Sequence, residues 1–306
     1  MVFYSTGRAL ALAAVLVLTT CGPARPPSTA SDRATQTALS RELDSLFAAK
    51  SPSGAFLFAI GDELIFRKGY GVLTEGGTPL TDEAVFPVGS LTKQFTAAAV
   101  LQLAARGKLS LDDRLQRFFP EAPDDKKAIT VRQLLAHKSG LSRNAGDVYD
   151  RVGPEEARRL IFAKALDAAP GERHNYSNSG YILLGQIVEK VSARPLGDYF
   201  ERHLFRPAGM KRTGYPSARF AGAPIPRGYD RPKFKEKFSG TPMTAPGGQD
   251  PRFRYGNGGV LSTVGDLHRW VRALASGRLL PRAWVEQMQT PHADITPDRK
   301  FRYGYA

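Results

Sequence analysis

The chain has 306 residues, one cysteine and a formal net charge of +14, and 42% of its residues are hydrophobic. A single cysteine excludes an internal disulfide. The lysines and arginines are scattered, and neither a nucleic-acid-binding module nor a zinc-ligand set is present. We therefore expect no nucleic-acid partner, no metal and no cofactor. The positive charge suits a place near anionic lipid or cell-wall polymer, and a soluble basic surface explains it equally well.

The N-terminus has the pattern of an export signal. Arg8 precedes an apolar run over 9–18 that is too short to span a bilayer comfortably. We predict that residues 1–20 form a signal peptide. Cys21 follows directly, which resembles a bacterial lipoprotein signal, so Cys21 is the predicted lipidation site. This predicts an exported protein, periplasmic or at the cell surface, held at a membrane by a lipid; an ordinary cleaved signal is the alternative.

Residues 21–37 are rich in Pro, Ala, Ser and Thr and lack apolar periodicity, which predicts a flexible tether. Residues 38–306 would then form one enzyme-sized domain of two lobes. The apolar residues Leu39, Leu43, Leu46 and Phe47 recur at helical spacing and predict an amphipathic first helix. The strand-like runs 55–60 and 63–67 predict a hairpin. Two strands followed by many helices favour an α+β fold.

The segment Ser90-Leu91-Thr92-Lys93 opens an alanine-rich helical pattern over 91–106. Positions i and i+3 share one helix face, so Lys93 is predicted to lie beside Ser90. A serine hydroxyl is a weak nucleophile unless a base takes its proton. A lysine becomes such a base when burial or nearby positive charge lowers its pKa. The tetrapeptide alone is a weak signal, because this spacing also occurs by chance.

A second candidate motif, Tyr176-Ser177-Asn178, stands in a turn directly before a helical run over 177–191. A phenol near the Lys93 ammonium would be favoured as phenolate and could carry a proton from nucleophile to leaving group. The Asn178 amide could contact a substrate carbonyl or the lysine. Taken alone, this motif favours the interpretation that both are simple turn residues.

Together with their flanking segments, these motifs resemble the serine β-lactamase-related hydrolases, the group that contains class C β-lactamases, DD-carboxypeptidases and esterases. The resemblance implies that Ser90 is the acylated nucleophile, that Lys93 and Tyr176 transfer protons, and that Asn178 contacts substrate or lysine. It also implies a monomer with an antiparallel sheet flanked by helices and an all-helical lobe. The segments that carry it are 86–93, 130–141, 170–181, 204–210 and 258–267.

The family's third motif, Lys or His followed by x-Gly, does not occur after Asn178. Lys138-Ser139-Gly140 has the sequence of this motif but lies before Tyr176, whereas the family places the motif after it. We therefore predict a turn there, with the adjacent His137 in a structural role. Residues 301–306 resemble the strand that precedes the motif, so we expect the C-terminal strands to be missing and the activity of this form to be uncertain. The nucleophile elbow, zinc-protease and P-loop patterns are absent from the sequence, which excludes those enzyme classes.

The sequence therefore predicts an exported serine hydrolase that forms an acyl-enzyme at Ser90. Its substrate would be a β-lactam, a D-Ala-D-Ala peptide of peptidoglycan or a small ester, and the shared motifs do not rank these. A catalytically inactive, membrane-tethered binding or regulatory protein on the same scaffold is the alternative, and the product of a disrupted gene is a third.

Overall fold

The computed structural model describes residues 14–18, 30–50, 52–74, 77–146, 152–230, 237–242, 255–296, 298 and 301–306. The predicted lipidation site, Cys21, lies outside the described residues, as do most of the predicted signal peptide and part of the tether. The chain divides into two units, each assembled from three segments. The first unit draws on 1–87, 217–246 and 261–272, and the second on 88–216, 247–260 and 273–306.

The first unit contains a three-stranded sheet in the order β1-β2-β3. Strands β2 and β3 form the predicted antiparallel hairpin. Strand β1 pairs in parallel with β2, because helix α1 connects them as a crossover. The antiparallel β2–β3 pairing agrees with the predicted sheet, and the parallel β1 adds a mixed edge to it. The elements of this unit are β1 (Ala14–Leu18), α1 (Ala30–Lys50), β2 (Gly54–Ile60), β3 (Glu63–Tyr70), β4 (Phe86–Pro87), a 3₁₀ turn (Ala218–Phe220), β5 (Arg227–Asp230), β6 (Lys237–Pro242), β7 (Leu261–Ser262) and most of α9 (Val264–Ala275).

Two boundaries at the N-terminus differ from the prediction. Helix α1 begins at Ala30, inside the predicted tether 21–37. Alanine and arginine are strong helix formers, so this stretch extends the helix towards the N-terminus. The backbone of 14–18, within the predicted signal peptide, forms strand β1. Removal of residues 1–20 by processing stays a prediction.

Both faces of strand β2 are covered. Ala55, Leu57 and Ala59 alternate onto one face and belong to a buried cluster that includes the start of α9. On the opposite face the ring of Phe56 stacks on Phe47 of α1, with ring centroids 4.4 Å apart. This two-sided burial explains why the sequence of β2 is apolar without interruption.

The second unit is mostly helical and is built around α2. Most residues of α2 between Thr92 and Leu103 are buried, as expected for a helix that is apolar on all sides. The ring of Phe95 packs edge-on against Phe205 at 5.0 Å. The elements are a 3₁₀ turn (Gly89–Leu91), α2 (Thr92–Ala105), α3 (Leu115–Phe118), α4 (Val131–Leu135), α5 (Pro154–Ala163), α6 (Asn178–Ser192), α7 (Leu196–Phe200), a π-helical turn (Glu201–Phe205), α8 (Arg206–Ala208), α10 (Arg282–Gln289), β8 (Ala293–Asp294) and β9 (Arg302–Tyr303).

Helices combined with small sheets confirm the predicted α+β class. The pairs β4–β7, β5–β6 and β8–β9 are antiparallel. The N-terminus of α4 is capped, because Thr130 and Gln133 form a reciprocal capping box. Within the described ranges, no helix combines the length and the apolar character needed to cross a bilayer.

Candidate active site

Ser90 stands at the start of the buried helix of the second unit. The 3₁₀ turn Gly89–Leu91 leads straight into α2. Gly89 has φ +54°, a left-handed conformation that favours glycine, and the chain turns there so that Ser90 is exposed. In the first turn of a helix the N–H groups have no intrahelical acceptor, so the Ser90 N–H can bind an oxyanion.

Lys93 lies behind the serine and is 1% exposed. Its Nζ is 3.2 Å from Ser90 Oγ and 2.8 Å from both Asn178 Oδ1 and the backbone oxygen of Asn257. Burial, and then the charge of Arg143, lower the pKa of Lys93 to about 7. A neutral amine has two N–H donors for the two carbonyl oxygens and one lone pair for the serine proton. The surroundings of Lys93 therefore suit a base that acts on Ser90.

Tyr176 contacts the serine from the other side. Its hydroxyl donates a hydrogen bond to Ser90 Oγ at 2.9 Å, and its ring centroid lies 4.9 Å from Lys93 Nζ. Burial raises the pKa of Tyr176, although the Ser90 hydrogen bond and Arg143 both act to lower it. Burial thus favours the neutral phenol over the phenolate expected from the sequence, because desolvation of a buried anion opposes the attraction of the nearby cations.

Asn178 is the first residue of α6, whose N-terminus is capped by Ser177. The Ser177 hydroxyl accepts a hydrogen bond from the Gly180 N–H at 3.0 Å. Asn178 Oδ1 accepts from Lys93, and its Nδ2 donates to Asn144 Oδ1 at 2.7 Å. Of the two contacts predicted for Asn178, the structure contains the one with the lysine. Asn144 was not anticipated.

The Asn257 carbonyl is a further contact that sequence reasoning missed. It reaches Lys93 because the preceding Gly256, at φ +88°, lies so close to α6 that a Cβ would overlap the carbonyl oxygen of Tyr181. The Thr96 hydroxyl donates to the Gly256 oxygen at 2.7 Å and holds this segment in place. The three glycines within 256–259 were the available signal, but a backbone contact leaves no pattern of side chains in the sequence.

Arg143 is a third residue that the motifs did not indicate. It is exposed, and its guanidinium carbon lies 5.3 Å from the ring centroid of Tyr176. Its positive charge disfavours protonation of Lys93 and stabilises an anion at Tyr176. In the part of the chain that the structure describes, no group of three or more His, Cys, Asp or Glu residues is arranged to hold a metal ion.

A serine hydroxyl between a buried lysine amine and a neutral phenol is the arrangement of a serine hydrolase that uses lysine, rather than histidine, as its base. The family model described as beta-lactamase matches residues 39–305. The chain therefore belongs to the beta-lactamase family.

Individual relatives differ in their described activity. The chain is 29% identical to the putative penicillin-binding protein PbpX of Bacillus subtilis over 80% of its own length, and it spans 60% of that relative. It is 28% identical to the esterase EstB of Burkholderia gladioli, covering 79% of the chain and 71% of EstB. The structure of a D-stereospecific amidohydrolase from Streptomyces sp. matches with a TM-score of 0.62 and 28% identity, over 75% of this chain and 74% of that one.

Proposed function

We propose that the chain is an exported serine hydrolase that forms an acyl-enzyme at Ser90 on an amide or ester substrate. One observation carries the proposal: Ser90 Oγ lies within hydrogen-bond distance of both Lys93 Nζ and the Tyr176 hydroxyl. A nucleophile that contacts a base and a separate proton donor meets the geometric requirement for covalent catalysis.

In the proposed acylation, neutral Lys93 takes the proton of Ser90 as Oγ attacks the substrate carbonyl carbon. The Ser90 N–H then stabilises the negative charge on the carbonyl oxygen. Tyr176 is protonated at rest, and its hydroxyl contacts the same Ser90 Oγ. It donates its proton to the leaving nitrogen or oxygen as the bond from that atom to the carbonyl carbon breaks. The proton held by Lys93 then returns to Tyr176, which restores both groups. In deacylation, Lys93 takes a proton from the water that attacks the acyl carbon and gives it to Ser90 Oγ as the bond between Oγ and the acyl carbon breaks.

The comparisons support both bond types, because one relative is described as an esterase and one structural neighbour as an amidohydrolase. The substrate is a small molecule or a peptidoglycan peptide, and the enzyme acts as a monomer. The export part of the proposal rests on the signal pattern of 1–20 and on Cys21 as the lipidated residue.

Covalent labelling tests the catalytic part. The expressed chain is treated with a fluorescent penicillin and with a fluorophosphonate, beside Ser90→Ala and the matched exposed-serine control Ser110→Ala. We expect labelling of the wild type and of Ser110→Ala, and none of Ser90→Ala. Penicillin labelling assigns a peptidase or lactamase, and fluorophosphonate labelling alone assigns an esterase. A folded wild-type chain that neither probe labels would refute the proposal and favour the inactive binding protein.

Fractionation tests the anchoring part. In a bacterial host supplied with radiolabelled fatty acid, the wild-type chain should carry label and sediment with membranes, whereas Cys21→Ser should carry none. Equal labelling of the two proteins would exclude Cys21 as the anchor.

A further inference from the structure

His137, in the turn after α4, is fully buried and has φ +54°. Left-handed backbone is adopted most readily by glycine, and an L side chain there pays a steric cost. On backbone grounds alone, glycine would suit this position better. An imidazole kept in an unfavourable backbone conformation indicates that its ring makes contacts that glycine cannot make.

The contacts of His137 converge on the two chain neighbours of Tyr176. The Asn175 N–H donates to the backbone oxygen of His137 at 2.7 Å. The Ser177 N–H donates to His137 Nδ1 at 3.0 Å. The residues on either side of Tyr176 are therefore both held by one residue, Asn175 through the main chain of His137 and Ser177 through its ring.

The imidazole also packs against the phenol itself. The ring centroids of His137 and Tyr176 are 4.3 Å apart with an interplanar angle of 33°. Tyr181, whose hydroxyl donates to the Leu135 oxygen at 2.8 Å, lies 4.9 Å from the same imidazole. The imidazole is thus a spacer between a fixed buried tyrosine and Tyr176, and its thickness sets the position of the phenol ring.

We propose that His137 is a positioning residue that holds the hydroxyl of Tyr176 at Ser90 Oγ, by pinning residues 175 and 177 and by supporting the phenol ring. This inference rests on the proposed function of Tyr176 as proton donor to the leaving group. It goes beyond the structural turn residue expected from the sequence, because it ties the ring of His137 to the acylation step.

The proposal requires one form of the imidazole. Since Nδ1 accepts from the Ser177 N–H, the ring proton must reside on Nε2. Burial, and then the charges of Lys93 and His174, lower the pKa of His137 well below its usual value, so the ring stays neutral. A protonated ring would carry hydrogen on Nδ1 and could no longer accept this bond.

Two substitutions separate the ring contacts from the backbone strain. His137→Gly relieves the left-handed backbone and removes the Nδ1 acceptor and the spacer. His137→Asn keeps an acceptor oxygen near the position of Nδ1, and asparagine tolerates left-handed φ. Ala193→Gly is the matched control, because Ala193 has φ +52° at the end of α6 and is exposed.

We measure kcat and KM for an activated ester and the rate of fluorophosphonate labelling of Ser90, after confirming folding by circular dichroism. We expect His137→Gly to lower kcat about 100-fold with KM nearly unchanged, because the phenol is misplaced while substrate binding is intact. His137→Asn should recover to within about tenfold of the wild type, and Ala193→Gly should match it. A folded His137→Gly with wild-type kcat would overturn the proposal.

A readout that does not need activity keeps this inference separate from the proposed function. ¹⁵N NMR of the full chain should show His137 neutral and protonated at Nε2. A crystal structure of His137→Gly should show the Tyr176 hydroxyl displaced from Ser90 Oγ by about 1 Å or more, the misplacement that such a rate loss requires. A Nδ1-protonated ring, or an unmoved hydroxyl, overturns the positioning role. If the probes do not label the wild type but the Tyr176 hydroxyl is displaced in His137→Gly, only the proposed function is refuted.

Discussion

The buried amine of Lys93 should make acylation of Ser90 steeply dependent on pH. Its pKa is lowered from 10.5 to about 7 by burial and by Arg143. About half of the lysine is then neutral at pH 7, whereas an unshifted amine would be neutral in roughly one molecule in 3000. The fold therefore raises the concentration of the competent base about a thousandfold.

We expect the second-order rate constant for fluorophosphonate labelling of Ser90 to rise about tenfold per pH unit below pH 7 and to level off above it, because only neutral Lys93 accepts the proton. Labelling is followed by gel fluorescence between pH 5 and pH 9. Lys93→Arg is the control, since a guanidinium stays protonated throughout, and it should not be labelled. A rate that is flat from pH 5 to pH 7, or that rises without a plateau through pH 9, would refute the reasoning.

The same lowered pKa has a consequence for stability. Between about pH 7 and pH 10.5 the unfolded chain holds a proton on Lys93 that the folded chain has lost, so the free energy of unfolding rises with pH in this window. Lys93→Met removes this contribution, and the slope should become shallower by about 1.4 kcal/mol per pH unit. Urea unfolding at pH 7, 8 and 9 measures it. Equal slopes in the two proteins would contradict the assignment of a depressed pKa.

Three further substitutions, together with one control, test single contacts. Arg143→Gln removes a charge that opposes protonation of Lys93, so the midpoint of the labelling profile should move to higher pH; an unmoved midpoint would count against Arg143. Gly256→Ala, which overlaps a backbone oxygen, should lower the free energy of unfolding by more than about 3 kcal/mol. Gly107→Ala is the control, because Gly107 has φ +65° and a Cβ there would meet no atom within 4 Å. It should lower the free energy of unfolding by only about 1 kcal/mol. Equal losses of stability in the two variants would contradict the overlap at Gly256. Thr130→Ala should cost about 1 kcal/mol in the same urea assay through loss of the α4 cap, and no loss would rule the cap out.

Part of the site was predictable because it depends on local geometry. Ser90 and Lys93 are one helical turn apart, so their proximity follows from the period of α2. Asn257 contacts Lys93 through a backbone carbonyl that long-range packing brings close, and Arg143 lowers the pKa of Lys93 through its charge. Neither depends on a residue pattern that a motif could capture.

The protonation of Tyr176 is hard to predict from the sequence for a related reason. A neighbouring ammonium favours phenolate and burial favours phenol, and the sequence shows the neighbour but not the burial. In the fold, the β2–β3 hairpin and the cap at Thr130 were predictable from short-range signals. The parallel pairing of β1 was not, because it depends on which distant segment meets the free edge of β2.

The chain passes between its two units at residues 87, 216, 246, 260 and 272. Neither unit is thus a continuous stretch of sequence, and a gene fragment that encodes one would always carry pieces of the other. In recombination between relatives, a single crossover between residues 88 and 272 would join mismatched parts of both units at once.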